Sequence, residues 1–268
     1  LPPFHLVVMA LTEGIAELLP VGSSAHSVLF SAVSGWPEQG LALDLAVHLG
    51  LLAALLAYLW RDLLHLVEGF AHLVRGKDEV MARQVPPLLL AALPALVLGW
   101  AIQRFTPVDF GGAAMVAWTS IGFALIFLVA DRFALTVRRI EHFSLGQAFF
   151  IGLAQLLGLA PGIGRIGAVI LAARLFACER QEAARMALLL SVPALACASI
   201  LEGLGLADAP SVTSTVDLLW AGGIAAVAGF LSITFLMRWL ETGKYGIFVA
   251  YRLLVGGALL YLLYFRAA

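Results

Sequence analysis

The sequence predicts an all-α polytopic membrane protein with six transmembrane helices and two re-entrant helical hairpins, arranged as an inverted-topology repeat. Three observations predict it. The 268 residues are 62% hydrophobic and 12% charged, with mean hydropathy +0.99, whereas soluble domains run about 45–50% apolar and about 25% charged. Six apolar segments reach the roughly 20 residues a bilayer crossing needs. Four shorter apolar segments come in two pairs, each interrupted by Pro/Gly-containing polar sequence.

The long segments are 41–60, 86–104, 112–130, 183–206, 218–240 and 247–265. The short ones are about 4–19 and 21–34, broken by "LPVGSSAH", and about 146–160 and 165–177, broken by "LAPGIGRIG". Short apolar halves around a breaker read as re-entrant helices, which membranes tolerate only where protein or a wet cavity covers the backbone. Residues 14–19 read "GIAELL" and residues 152–157 read "GLAQLL", each followed closely by a proline and a glycine. One membrane domain with two repeats follows, the first about 1–130 and the second about 145–268. A hairpin returns to its own side and three crossings do not, so the second copy is inverted relative to the first, an architecture known from transporters.

Charge orients the chain. Loop 61–85 carries Arg61, Arg75, Lys77 and Arg83, and loop 131–145 carries Arg132, Arg138 and Arg139. Arg180 and Arg185 follow the second pair, and Arg238 and Lys244 flank loop 241–246. Loops 35–40, 105–111 and 207–217 contain no Lys or Arg, although Arg104 borders one and Arg266 lies near the C-terminal end. Basic loops stay in the cytoplasm. Both termini are then outside, the first hairpin dips from the outer face, and the second rises from the cytoplasmic face to meet it.

The polar residues concentrate in the two breaks. Glu13 and Glu17 are four apart and share a helix face. An ionisable group within a membrane segment costs at least about 2.5–3.5 kcal/mol by insertion scales. Two carboxylates there suggest a cation, a shared proton or an arginine partner. Ser23, Ser24 and His26 follow Pro20, and one of the serines also suits a helix cap. Arg165 is the one charge in "PGIGRIG", where glycines permit close backbone approach and a planar guanidinium suits phosphate. Asp44 and His48, also four apart, face the same cavity or the outer interface, and are expected at most to support the groups that touch a ligand rather than to touch it themselves. Net charge of −1 gives no reason to expect a nucleic-acid partner. Cys178 and Cys197 form no metal or disulfide pattern, and the first apolar segment shows no cleavable signal pattern. Walker A, dinucleotide-turn and HExxH motifs are absent. A hydroxyl beside a histidine, an arginine and two carboxylates suits phosphoryl transfer.

On these residues the chain resembles the undecaprenyl-diphosphate phosphatase, or bacitracin-resistance protein, family. That family's first motif has the form E-G-x-T-E-x-L-P-V-S-S-[ST]-x-H and its second P-G-x-S-R-S-G. Here they read Glu13-Gly14-Ile15-Ala16-Glu17-Leu18-Leu19-Pro20-Val21-Gly22-Ser23-Ser24-Ala25-His26 and Pro161-Gly162-Ile163-Gly164-Arg165-Ile166-Gly167. "VHLG" at 47–50, "LPALVLG" at 93–99 and "YR" at 251–252 match further family segments. The resemblance implies hydrolysis of undecaprenyl diphosphate to the monophosphate carrier lipid at an outward-facing site of the bacterial inner membrane, in cell-wall lipid recycling. It implies Ser23 as nucleophile, His26 as its acid/base partner and Arg165 as diphosphate clamp. It further implies Ser24, Gly162 and Gly164 as substrate-binding positions, and Glu13 and Glu17 holding a divalent cation, Mg2+ or Ca2+. A homodimer is left open. Gly22, Gly164 and Ile166 stand where the family usually has serines, and Ala16 where it has threonine. If this is a weakened phosphatase, restoring Gly164→Ser or Ile166→Ser should raise activity. The competing reading is a flippase for a polyprenyl phosphate, or another anion transporter, built on the same inverted repeat.

Overall fold

The computed structural model describes residues 3–34, 40–77, 79–105, 112–208 and 214–266. The Lys/Arg-free loops 35–40, 105–111 and 207–217 lie mostly outside the described residues. Among these described residues ten α-helices follow in order: α1 Pro3–Ala16, α2 Ser24–Ser34, α3 Leu41–Val74, α4 Val80–Phe105, α5 Ala113–Phe133, α6 Leu145–Ala154, α7 Arg165–Leu175, α8 Arg180–Asp208, α9 Thr215–Thr242 and α10 Gly246–Tyr261. Among the described residues the β structure is one isolated bridge, between Arg138 and Cys178. Helices α3, α4, α5, α8, α9 and α10 are each long and apolar enough to cross a membrane.

The expected segment 41–60 continues as helix to Val74, so most of the expected loop 61–85 is helical. At 1.5 Å per residue, α3 is about 51 Å long, some 20 Å more than a hydrocarbon core requires. The extension carries the polar residues Arg61, Asp62, His65, Glu68 and His72. Helix α4 contains Pro86, Pro87 and Pro94, and α8 contains Pro193. Each proline removes one backbone donor, which a membrane bundle accepts where neighbours satisfy the freed carbonyl.

The short pairs end where local chemistry ends them. Ser144 caps α6, its hydroxyl accepting from the Gln147 amide at 3.3 Å while Gln147 Oε1 accepts from the Ser144 amide at 3.1 Å; this reciprocal box satisfies two helix-end donors. Helix α6 then tightens into a 3-10 turn, Gln155–Leu159. Helices α2 and α7 each start just after a glycine with φ of +77°, Gly22 and Gly164.

The packing exchanges elements between the halves. Helix α1 packs on α9, and α6 packs on α4. Helix α3 packs on α8, and α5 on α10. The exchange extends to the prolines: Thr119 of α5 donates to the Pro161 carbonyl at 2.5 Å, and Arg252 of α10 donates to the Pro20 carbonyl at 3.1 Å.

A core of Leu51, Leu55, Phe127, Ile166, Ile170, Leu188 and Leu236 holds the helices together. Outside it, Val97, Ile126, Leu219, Trp220, Leu231 and Leu254 are exposed, an apolar exterior suited to lipid rather than water. The expected basic loops gather at one end. Asp131 accepts from Arg174 Nε at 3.2 Å and Arg180 Nε at 2.7 Å. The Tyr245 hydroxyl donates to the Arg180 carbonyl at 2.7 Å. Arg185 pairs with Asp62, and Gln84 donates to Glu141 at 3.2 Å. Arg174 is fully buried and also donates to the carbonyls of Ala134, Leu135 and Cys178. Removing a partner from such a buried charge costs about 3–5 kcal/mol.

Candidate active site

The two helix breaks meet inside the bundle. The Gly162 amide donates to Ser24 Oγ at 2.8 Å. Arg252, fully buried, donates to the carbonyls of Pro20, Gly162 and Ile163, the last at 2.7 Å. Its Cζ lies 4.6 Å from the centroid of the Phe123 ring. Three carbonyls and an aromatic face thus take the place of a carboxylate, offsetting the cost of a buried cation. A Cβ on Gly164 would lie 3.0 Å from Gly22 Cα, and one on Gly22 would lie 2.8 Å from the Gly162 carbonyl oxygen. The tips therefore touch where neither position has a side chain, and both use a backbone conformation that glycine adopts without strain.

Above the junction lies a cavity of about 310 Å3. Its polar lining includes Glu17, Ser23, Ser24, His48, Gln155 and Arg165. Its apolar walls come from α4, at Ala95, Leu96, Gly99 and Trp100, and from α8, at Ala194, Leu195, Ala198 and Leu201. The Ser23 hydroxyl donates to Glu17 Oε2 at 2.7 Å. Arg165 donates to Glu17 Oε1 at 3.2 Å. Arg165 Nε is buried without a hydrogen-bond partner. Helices α2 and α7 both begin at this junction, and helix N-termini present unsatisfied amides and partial positive charge that favour phosphate.

The expected site residues separate into two groups. Ser23, Ser24, Gly164 and Arg165 line the cavity with Glu17, and Gly162 reaches it through Ser24. Glu13 is absent from that lining and accepts from the Ser27 hydroxyl at 2.6 Å. His26 also turns away. Its Nδ1 lies 3.2 Å from the Gly22 carbonyl and its Nε2 2.7 Å from the Tyr251 hydroxyl, and the two rings stack. His26 lines a separate apolar groove with Ile15, Phe30 and Phe248. Within this geometry the group paired with Ser23 is Glu17, and His26 buttresses the turn. Ile166, which stood in sequence beside the clamp, is 1% exposed and packs into the core; its branch does not enter the cavity.

The carboxylates do not fit a jointly held divalent ion as they are placed. Both oxygens of Glu17 are engaged, and Glu13 is drawn to α2. Among the described residues no three His, Cys, Asp or Glu side chains converge as a ligand set.

Sequence reasoning missed Arg252, read only as part of "YR", and Gln155, which stands in "GLAQLL" where "GIAELL" has Glu17. Gln155 donates to the Ala91 carbonyl at 2.7 Å and lines the same cavity. It also missed Glu202, which bonds His48.

The family described as "Bacitracin resistance protein BacA" matches residues 6–258. The chain is 42% identical to Undecaprenyl-diphosphatase 1 of Rhodospirillum rubrum over 267 residues, covering 97% of this chain and 95% of the relative. It is 36% identical to the Undecaprenyl-diphosphatase of Roseobacter denitrificans, covering 96% and 97% of the two chains, and 36% identical to that of Hahella chejuensis, covering 97% and 98%. With the family match running through both helix breaks and all six long helices, the chain belongs to the bacitracin resistance protein BacA family.

Proposed function

We propose that this chain is an integral membrane phosphatase that hydrolyses undecaprenyl diphosphate to the monophosphate carrier lipid and inorganic phosphate; its relatives are named undecaprenyl-diphosphatase. The observation that carries the reading is the chain Ser23–Glu17–Arg165, which unites a hydroxyl, a proton acceptor and a cation from both helix breaks in one cavity.

The chemistry follows from those groups. The terminal phosphate lies at the junction, against Arg165 and the amides that begin α2 and α7. Ser23 Oγ attacks its phosphorus while Glu17 takes the hydroxyl proton. The bond from phosphorus to the bridging oxygen breaks, and the lipid monophosphate leaves with the electron pair. Arg165 stabilises charge on the equatorial oxygens, a contribution larger in the transition state than in the ground state. Water then hydrolyses the phosphoserine, releasing inorganic phosphate. The apolar walls from α4 and α8 suit the first isoprene units, and the remaining chain stays in lipid.

The finer topology belongs to the same proposal. The basic end lies in the cytoplasm of a bacterial inner membrane, with the cavity and both termini on the periplasmic side. The short pairs act as re-entrant hairpins of two inverted repeats, about 1–130 and 145–268, which the exchange of partners between halves supports. Purified protein should release inorganic phosphate from undecaprenyl diphosphate in detergent or nanodiscs. Transport of a polyprenyl phosphate without phosphate release would place the flippase reading ahead.

A further inference from the structure

His48 of α3 lines the same cavity as Glu17, Ser23 and Arg165. Its Nδ1 lies 2.8 and 2.9 Å from the two carboxylate oxygens of Glu202 on α8. A carboxylate only accepts, so Nδ1 carries a hydrogen, and in the neutral ring Nε2 presents a lone pair. Tethering one ring nitrogen to a carboxylate is how proteins fix the tautomer and direction of a histidine base.

The proposed reaction has two proton abstractions and needs two acceptors. After Ser23 has attacked, Glu17 holds the first proton and must return it to Oγ when the phosphoserine breaks. The attacking water loses a second proton. Among the described residues of the cavity lining, the side chains that ionise are Glu17, His48, Arg165 and Cys197. Arginine stays protonated, and an ordinary thiol is mostly neutral near pH 7. His26, the histidine that the motif suggests, has both ring nitrogens engaged away from the cavity.

We propose that His48, oriented by Glu202, is the base of the second half-reaction. This rests on the phosphatase reading and adds an assignment to it. Water attacks the phosphoserine phosphorus and gives its proton to His48 Nε2. The bond from phosphorus to Ser23 Oγ breaks, and Oγ recovers the proton held by Glu17. Inorganic phosphate leaves, and His48 passes its proton to solvent at the cavity mouth. Glu202 is a positioning residue.

Rapid-quench kinetics on the purified full chain tests this, using undecaprenyl diphosphate labelled in its terminal phosphate. Wild type should turn over steadily with little label on protein. His48→Gln should release one equivalent of lipid monophosphate at a first-turnover rate within about threefold of wild type. It should then slow by about 100-fold or more, the range for loss of a general base, with label retained on Ser23. Glu202→Gln should show the same burst with a smaller loss. Because the burst itself requires a folded site, its presence separates lost chemistry from lost fold. A His48→Gln variant with wild-type steady turnover overturns the assignment, as does one slowed equally in both phases without label on Ser23. Steady hydrolysis by wild type with no phosphoserine detectable in any variant overturns it while leaving the phosphatase reading intact. Absence of phosphate release by wild type removes that reading, and the assignment with it.

Discussion

Ser23 and Glu17 are joined by a hydrogen bond of 2.7 Å across the Pro20 turn, and Glu13, one helical turn before Glu17, is bonded to Ser27 instead. The two glutamates that look equivalent in sequence are therefore unequal in the fold. Glu17→Gln should lower turnover about 100- to 10,000-fold, the usual range for removing a general base. Ser23→Ala should do the same, and the double variant should be little worse than either single one, since residues acting as a unit are non-additive. Glu13→Gln should cost far less. A jointly held divalent ion would make the two glutamine variants equally defective and equally shifted in metal titration. Parallel measurements of turnover against Mg2+ and Ca2+ concentration distinguish the cases.

Arg165 touches Glu17 through one nitrogen and leaves Nε buried and unpartnered. The planar fork, rather than charge alone, suits a phosphoryl group. Arg165→Lys should thus keep the protein folded yet reduce kcat strongly, with a smaller change in KM. Wild-type kinetics for this variant, together with an active Ser23→Ala, would remove the mechanism and favour transport.

Much of the architecture is legible in the sequence because membrane insertion imposes simple rules. Six apolar runs became six long helices, and the interrupted pairs became α1, α2, α6 and α7, since length and breakers decide both. Ser23 and Arg165, expected to meet at the facing hairpin tips, line one cavity. Side-chain direction was not legible. His26 follows the serines closely but lies on the face of α2 that looks toward Tyr251. Ile166 adjoins Arg165 yet points into the core, because neighbours in a helix face different ways. Arg252 and Glu202 depend on contacts across more than 150 residues, with Pro20 and His48 respectively, which no local pattern encodes.

The glycines in the tips reverse one expectation from sequence. Gly22 and Gly164 have φ of +77° and meet in direct contact, so a serine at either position meets both strain and backbone. Gly22→Ser and Gly164→Ser should lower thermal stability and activity instead of restoring a hydroxyl. Ile166→Ser removes a core side chain, and Ile→Ala changes alone cost about 2–5 kcal/mol. Thermal unfolding and phosphate-release assays on the three variants test this; a gain of activity in any would return that position to phosphate binding.

Orientation can be read from thiol labelling. The native Cys178 is buried, and burial pushes its thiol up to about 12, so it stays protonated and unreactive. In a background with Cys197 replaced by alanine, a cysteine at the exposed Ser214 should react with an impermeant reagent added to intact cells. One at Lys77 should react only after lysis. The sequence-based choices for an outside position, Pro37 and Asp208, are less suitable: Pro37 lies outside the described residues, as does the side chain of Asp208. Labelling of position 77 in intact cells would invert the topology and move the cavity to the cytoplasmic side.

Arg252 gives the most direct test of whether the two tips work as one site. Its guanidinium holds three carbonyls, Pro20 from the first break and Gly162 and Ile163 from the second, yet it is absent from the cavity lining. Arg252→Met retains much of the apolar stem and leaves those acceptors unpaired. A buried unsatisfied group costs about 1–3 kcal/mol; partial relaxation of the turns brings the expected loss to about 3–5 kcal/mol. At about 2–4 °C per kcal/mol for a chain near this size, the melting temperature should fall by on the order of 10 °C. Activity measured well below that temperature should fall as well, because the Ser23–Glu17 pair and Arg165 stand on opposite tips. Ser24→Ala removes a single neutral bond between the same tips and should cost only about 0.5–1.5 kcal/mol. Arg252→Lys keeps the charge but reaches fewer of the carbonyls, and should fall between the two in both stability and kcat. If Arg252→Met melts early but turns over normally when folded, the arginine only stabilises the bundle, and the alignment of the tips is set by Ser24 and the glycine contact instead.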